Sequence, residues 1–263
     1  MSRGCGAALA LAAAGLLAGG RGAAAEQAAP SGVQDQTRVA PFEYVGGMQP
    51  VMDNTVFTHA LLEQAEGRWN GRNNQFRYDG QAWTGTDYNK LWIKSEGLVD
   101  RNGRFTDGIH EVLYDRAVTT YFDVQAGLRV DLDRGPTRTW AALGVQGLSL
   151  YFFDLEATAY ASDRGRFAGR LKASYDLLVT NRLVLQPEAE LNFYSKADAA
   201  RGTGAGFSDI DAGLRLRYEF SRKFAPYVGV SYAGRFFQSE RFARQEGGSA
   251  NSVRFAFGLR TWF

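Results

Sequence analysis

The sequence predicts an all-β, antiparallel transmembrane β-barrel of about 12 strands with a short flexible N-terminal tail. Three observations predict it: an N-terminal export signal, a two-residue period of apolar and charged positions, and an aromatic residue, Phe263, closing the last strand. Composition agrees. Aromatics make up 13% of the 263 residues, with 31 glycines and only 6 prolines. After the leader no run approaches the roughly eighteen apolar residues that a helical membrane span needs.

The leader comes first. Arg3 supplies a positive start, Gly4 to Gly20 is uncharged and dominated by Ala and Leu, and Ala23-Ala24-Ala25 offers a small-residue cleavage site before Glu26. That order marks residues 1–25 as a secretory signal peptide. Cys5, the only cysteine, leaves with it and has no lipobox around it. The mature chain is therefore expected to have neither a disulfide nor a thiolate metal site. Loss of Arg3 and Arg21 from 30 basic residues balances the chain against its 28 acidic ones. A near-neutral chain gives no basic surface for nucleic acid.

Residues 26–54 are polar and broken by Pro41, Gly46, Gly47 and Pro50, which reads as a flexible periplasmic segment. Residues 55–263 read as the barrel. Its first strand, from about Thr55 to Arg68, has a pattern that also fits a helix. From Tyr121 to Asp131 the alternation is clear. Phe122, Val124, Ala126, Leu128 and Val130 share one face, and Asp123, Gln125, Arg129 and Asp131 share the other. Charges at nearly every second position cannot face a soluble core, so the apolar set faces lipid and the charged set a wet lumen. Phe167 to Leu177, Asp209 to Phe220 and Val253 to Phe263 repeat the pattern.

Connections near 85–89, 116–120, 147–149, 179–182 and 220–224 are short. Those near 69–74, 99–107, 132–138, 161–166, 195–207 and 235–250 are longer and more polar. Barrels of this class place tight turns in the periplasm and longer loops outside. The count is 12 strands with both termini periplasmic, and ten is the alternative. Pro187 is awkward within a strand unless it lies at a bulge.

Catalytic constellations are sparse. The two histidines, His59 and His110, have no serine beside them in sequence, and the chain has neither a phosphate-binding glycine loop nor an HExxH motif. The expectation is a non-enzyme, with His110 a polar residue at the barrel rim. The tail is more suggestive. Met48, Met52, Asp53 and His59 fall within twelve residues, and Met48 and Met52 are the only methionines after Met1. Thioether sulfur is a soft ligand that favours Cu(I), and imidazole accepts either copper oxidation state. Met48, Met52 and His59 are therefore the candidate metal ligands. Lumen residues Glu96, Asp123, Gln125, Glu188 and Glu190 are candidates to relay an ion, or simply to hydrate the lumen.

Several blocks together resemble a known family. Gly47-Met-Gln-Pro-Val-Met-Asp-Asn54 and Leu61-Leu-Glu-Gln-Ala-Glu-Gly-Arg68 are followed by Leu91-Trp-Ile-Lys-Ser-Glu-Gly97 and Leu113-Tyr-Asp-Arg116. Then come Asp123-Val-Gln-Ala-Gly-Leu-Arg129, Leu143-Gly-Val-Gln-Gly-Leu148, Leu183-Val-Leu-Gln-Pro187, Gly213-Leu-Arg-Leu-Arg-Tyr-Glu219 and Phe224-Ala-Pro-Tyr-Val-Gly229. The last is Gly258-Leu-Arg-Thr-Trp-Phe263. In this order they resemble the copper resistance protein B family. The resemblance implies a barrel in the outer membrane of a Gram-negative bacterium that binds copper and contributes to copper resistance, by sequestration or export. Its implied partners are copper ions, outer-membrane lipid and a periplasmic copper carrier. Two departures stand out. The long Met- and His-rich repeat that family members often carry before the barrel is reduced to Met48, Met52 and His59, and residues 233–252 differ from the usual stretch. The rival reading is a general small-solute pore or a structural barrel without metal selectivity.

Overall fold

Each strand has one polar and one apolar side, and neither side can face a conventional protein core. Closing the sheet on itself gives the polar sides a common lumen and leaves no unpaired edge in the membrane. The computed structural model describes residues 55–71, 74–132, 135–163, 165–245 and 247–263. The chain divides into two units, 1–50 and 51–263. The first lies wholly outside the described residues, as do 51–54, so the expected leader, the tail, Met48 and Met52 lie outside them too.

The strands are β1 (Phe57–Trp69), β2 (Asn74–Gly85), β3 (Asn89–Asp100), β4 (Phe105–Ala117), β5 (Phe122–Asp131), β6 (Arg138–Leu148), β7 (Asp154–Ser162) and β8 (Arg166–Ser174). There follow β9 (Leu177–Leu178), β10 (Leu183–Tyr194), β11 (Gly206–Tyr218), β12 (Phe224–Arg235), the helix α1 (Phe237–Gln245) and β13 (Asn251–Trp262). Every neighbour pair is antiparallel, and β13 pairs with β1 to close the ring. The two-residue β9 continues β8 along β10, so the wall has twelve staves. This is the predicted count, and the ten-strand alternative is excluded.

Pro187 explains the break between β8 and β9. Its ladder with β11 is continuous, and the wall on its other side is interrupted between Ser174 and Leu177. A residue without an N–H is tolerated where the neighbouring strand is already broken. Tyr175 bridges the gap by donating its N–H to the Pro187 carbonyl (3.1 Å).

The first strand is extended, not helical. Its ladder to β2 shifts register between Leu62 and Gln64 and its ladder to β13 between Leu62 and Ala65, where a bulge leaves Glu63 and Gln64 both facing inward. Before the bulge the inward residues are His59, Leu61 and Glu63; after it they are Gln64, Glu66 and Arg68. The bulge flips the phase of the alternation, and that is why this segment alone reads ambiguously in sequence.

The outer wall carries an apolar band, with Ile93, Val112, Leu128, Leu143, Leu214 and Val228 exposed. Exposed aromatics edge it at both ends, Trp69, Phe76 and Phe105 at one and Tyr88, Tyr114 and Phe263 at the other. At the seam, Phe263 N–H donates to the Ala60 carbonyl (2.8 Å), and Ala60 N–H donates to the Phe263 carbonyl (3.1 Å). The end carrying Phe263 also holds short turns such as 86–88 and 118–121. The longer 195–205 and 236–250 connections lie at the other end, as predicted, although 163–165 is also short.

Candidate functional site

Inward charge is arranged in layers. At mid-height, buried side chains cross the lumen and join opposite walls. Glu66 (0% exposed) accepts hydrogen bonds from Arg68 Nε (2.6 Å), Arg215 Nε (3.0 Å) and Tyr227 Oη (2.9 Å). Arg68 continues to Asp211 (2.8 Å), which also accepts from Arg77 (3.3 Å). Arg170 holds Glu96 and Glu190, Lys172 holds Asp79 (2.7 Å), and Gln64 donates to Glu188 (2.9 Å). One wall adds an apolar patch of Leu113, Trp140, Ala142 and Tyr160, with Arg129 over the Tyr160 ring (4.5 Å). This waist fills the lumen with side chains.

On either side of the waist lies a cavity. The one at the end carrying the barrel's C-terminus has a volume of about 940 Å³, and nine carboxylates and five cations line it among the described residues. The other measures about 580 Å³, is lined by six carboxylates and five arginines, and is covered by α1. The two share Glu96 and Ile109 in their walls. α1 sits with Ser239 and Ala243 buried. Ser239 Oγ accepts from Gly204 N–H (2.7 Å) and hydrogen-bonds Ser208 Oγ (2.8 Å). A stack of Phe193, Phe207 and Phe236 supports this cover.

The sequence-predicted residues fall as follows. His59 faces inward at the end opposite α1, half-buried between Trp83 (6.1 Å between ring centroids) and Trp262 (5.5 Å). Trp92 packs against Trp83 to extend this collar (6.1 Å), and Trp92 and Leu61 line the larger cavity. Neither nitrogen of His59 has a hydrogen-bond partner among the described residues. Met48 and Met52 lie outside the described residues, so the structure places one of the three proposed ligands. Among the described residues no group of three or more His, Cys, Asp or Glu is placed to hold a metal ion.

The relay candidates are already paired. Asp123 accepts from Lys90 (3.0 Å), Gln125 accepts from Lys94 (3.0 Å) and donates to Asp115 (2.9 Å), and Glu96, Glu188 and Glu190 belong to the waist. Their arrangement is that of a brace. His110 lies mid-strand on the lipid-facing wall and not at the rim, with Nδ1 2.9 Å from Ser95 Oγ. The two residues are direct cross-strand partners, 15 positions apart, so proximity in sequence could not reveal them. No carboxylate among the described residues orients the ring, and a Ser–His pair without such a group lacks the set that activates a hydroxyl.

A closed antiparallel ring with an apolar outer band, aromatic edges and a charged interior defines a transmembrane β-barrel of the Gram-negative outer membrane. The NanC porin shares this fold, with a TM-score of 0.50 at 11% identity over 76% of this chain and 98% of that one. Residues 56–263 match the family described as Copper resistance protein B precursor. The chain is 41% identical to Copper resistance protein B of Escherichia coli over 88% of its length and 77% of that protein. It is 39% identical to the Copper resistance protein B homolog of Pseudomonas syringae pv. tomato, over 88% and 78%. The chain belongs to the copper resistance protein B family. Family and fold together point to a non-enzymatic outer-membrane protein with a role in copper resistance.

Proposed function

We propose that the chain contributes to copper resistance by capturing copper at the periplasmic end of a barrel that is closed at its waist, with Met48, Met52 and His59 as ligands. His59 carries this reading: an inward imidazole with both nitrogens unengaged, held in a tryptophan collar beside a cavity richer in carboxylates than in cations. Such a cavity raises the local concentration of cations. Imidazole and thioether together suit Cu(I), and thioether discriminates against zinc and calcium. A periplasmic copper carrier is the natural donor, because a barrel has no energy source of its own. The waist favours binding or sequestration over free diffusion.

Competition for Cu(I) with a chromophoric chelator tests this on the folded, full-length protein. His59→Ala, and separately Met48→Ala with Met52→Ala, should each weaken Cu(I) binding by roughly tenfold or more, about 1.4 kcal/mol. Heat-modifiable migration should be retained. Wild-type affinity in both variants would remove these ligands. Absence of Cu(I) binding in the wild type, with steady ion conductance in planar bilayers, would establish the plain-pore alternative.

A further inference from the structure

Along the strands, inward-facing Arg and Lys side chains have a carboxylate within 4 Å, with two exceptions among the described residues. Arg260, the loosest of the paired ones, still meets Glu63 at 3.7 Å. The exceptions are Arg254 on β13 and Arg235 at the end of β12, and both line the cavity beneath α1. Arg254 donates its Nε to Ser252 Oγ (3.2 Å), and its two Nη groups have no hydrogen-bond partner among the described residues. Directly across the ladder on β12 is Ser231, which is buried (3% exposed) and does not line the cavity. Asp211, one strand beyond, is already taken by Arg68 and Arg77. Arg68 stands opposite Ala256, two residues from Arg254 on the same face, and adds to the local positive charge.

We propose that this vestibule binds a small oxyanion of the phosphate or carboxylate class, held by the Arg254 fork and attracted by Arg235. A guanidinium offers paired N–H donors that match two oxygens of a carboxylate or phosphate. In a lumen where the other strand cations are matched, a guanidinium whose fork faces a cavity without a carboxylate in reach is what an anion would complete. The site lies at the end opposite the His59 collar, so it stands independently of the copper reading.

Inorganic phosphate is the probe, titrated against the folded full-length protein by calorimetry or by 31P line broadening. The wild type should bind saturably, with sulfate competing. Arg254→Gln should weaken binding at least tenfold. Arg254→Lys, which keeps the charge and loses the fork, and Arg235→Gln should each weaken it about threefold. Arg222→Gln, in the turn at the far end, should match the wild type. If Arg254→Gln does not fold, the Arg254→Lys and Arg235→Gln variants decide. Absence of saturable phosphate binding in the wild type, or equal affinity in the wild type and the Arg254 and Arg235 variants, would overturn the site.

Discussion

At the end carrying the C-terminus, nine carboxylates face five cations around a cavity of about 940 Å³, and an unengaged imidazole stands among indole rings at its rim. At the opposite end the cavity is smaller, carries five arginines against six carboxylates, and lies under a helix pinned by a buried serine. The same strands supply both ends, so a stave contributes to both chemistries. β13 carries Trp262 and Arg260 near one mouth and Arg254 near the other. Strand alternation decides which residues look inward, and height along the stave decides which chemistry they join. Two environments of different charge can coexist a few residues apart because the ion-paired waist separates them.

Breaking the waist should have the largest effect. Glu66 joins Arg68, Arg215 and Tyr227, and Glu66→Ala leaves two buried guanidinium groups without a shared acceptor. A loss of about 3 kcal/mol is expected, read as a lower denaturant midpoint, together with higher bilayer conductance as the two cavities merge. Unchanged stability and conductance would mean that the waist does not hold the ends apart.

A smaller effect is expected from the α1 cover alone. Ser239→Ala removes the acceptor of Gly204 N–H and the partner of Ser208 Oγ inside a buried contact. Local loosening of about 1–2 kcal/mol should speed proteolysis of residues 236–250 while leaving the global unfolding midpoint nearly unchanged. Equal cleavage rates in variant and wild type would show that the helix is held by other contacts.

The smallest effect sharpens the comparison through pH. Asp198 lies in the 195–205 connection. Partial burial pushes its carboxyl upward, but hydrogen bonds from Arg166 and Arg138 outweigh burial and hold it below the ordinary carboxylate range. Its folded value is thus below the unfolded value of about 3.9, so its contribution is complete at neutral pH and is lost as pH falls through the folded value. Proteolysis of this connection should stay flat from pH 8 to 5 and rise only under more acidic conditions. Asp198→Asn should be cleaved faster at neutral pH and lose the acid-dependent rise. A wild-type rise already near pH 6 would assign the switch to another group.

Much of the wall was legible from sequence because alternation is local. Phe122 to Asp131 and Asp209 to Tyr218 display it without interruption, and the structure keeps each residue on its expected side. Legibility failed where pairing is long-range. The Ser95–His110 contact exists only through the β3–β4 register, and Glu96, which pairs with Arg170, and Glu66, which pairs with Arg215, come from strands that are not their neighbours. The indole rings flanking His59 come from β2 and β13, and no spacing near His59 announces them. The pairing of the candidate relay residues was hidden for the same reason. Acidic residues on a lumen face look available until the opposite wall is known to supply their arginines.

The bulge at Leu62–Gln64 gives this molecule a reading frame in space. Upstream of it, odd-numbered residues of β1 look into the lumen; downstream, even-numbered ones do. Deleting Glu63 would remove the extra residue that the bulge absorbs, and alternation would run regularly from His59 and Leu61 to Gln64 and Glu66 with each face kept. Deleting Ala60 instead, with the bulge retained, would leave Leu61 and the downstream network in place and turn His59 out toward the acyl chains. The imidazole would leave its indole neighbours for hydrocarbon without any substitution at position 59. A single-codon deletion beside the bulge thus acts on the collar as a frameshift acts on a message: the letters persist, but those upstream are read on the wrong face.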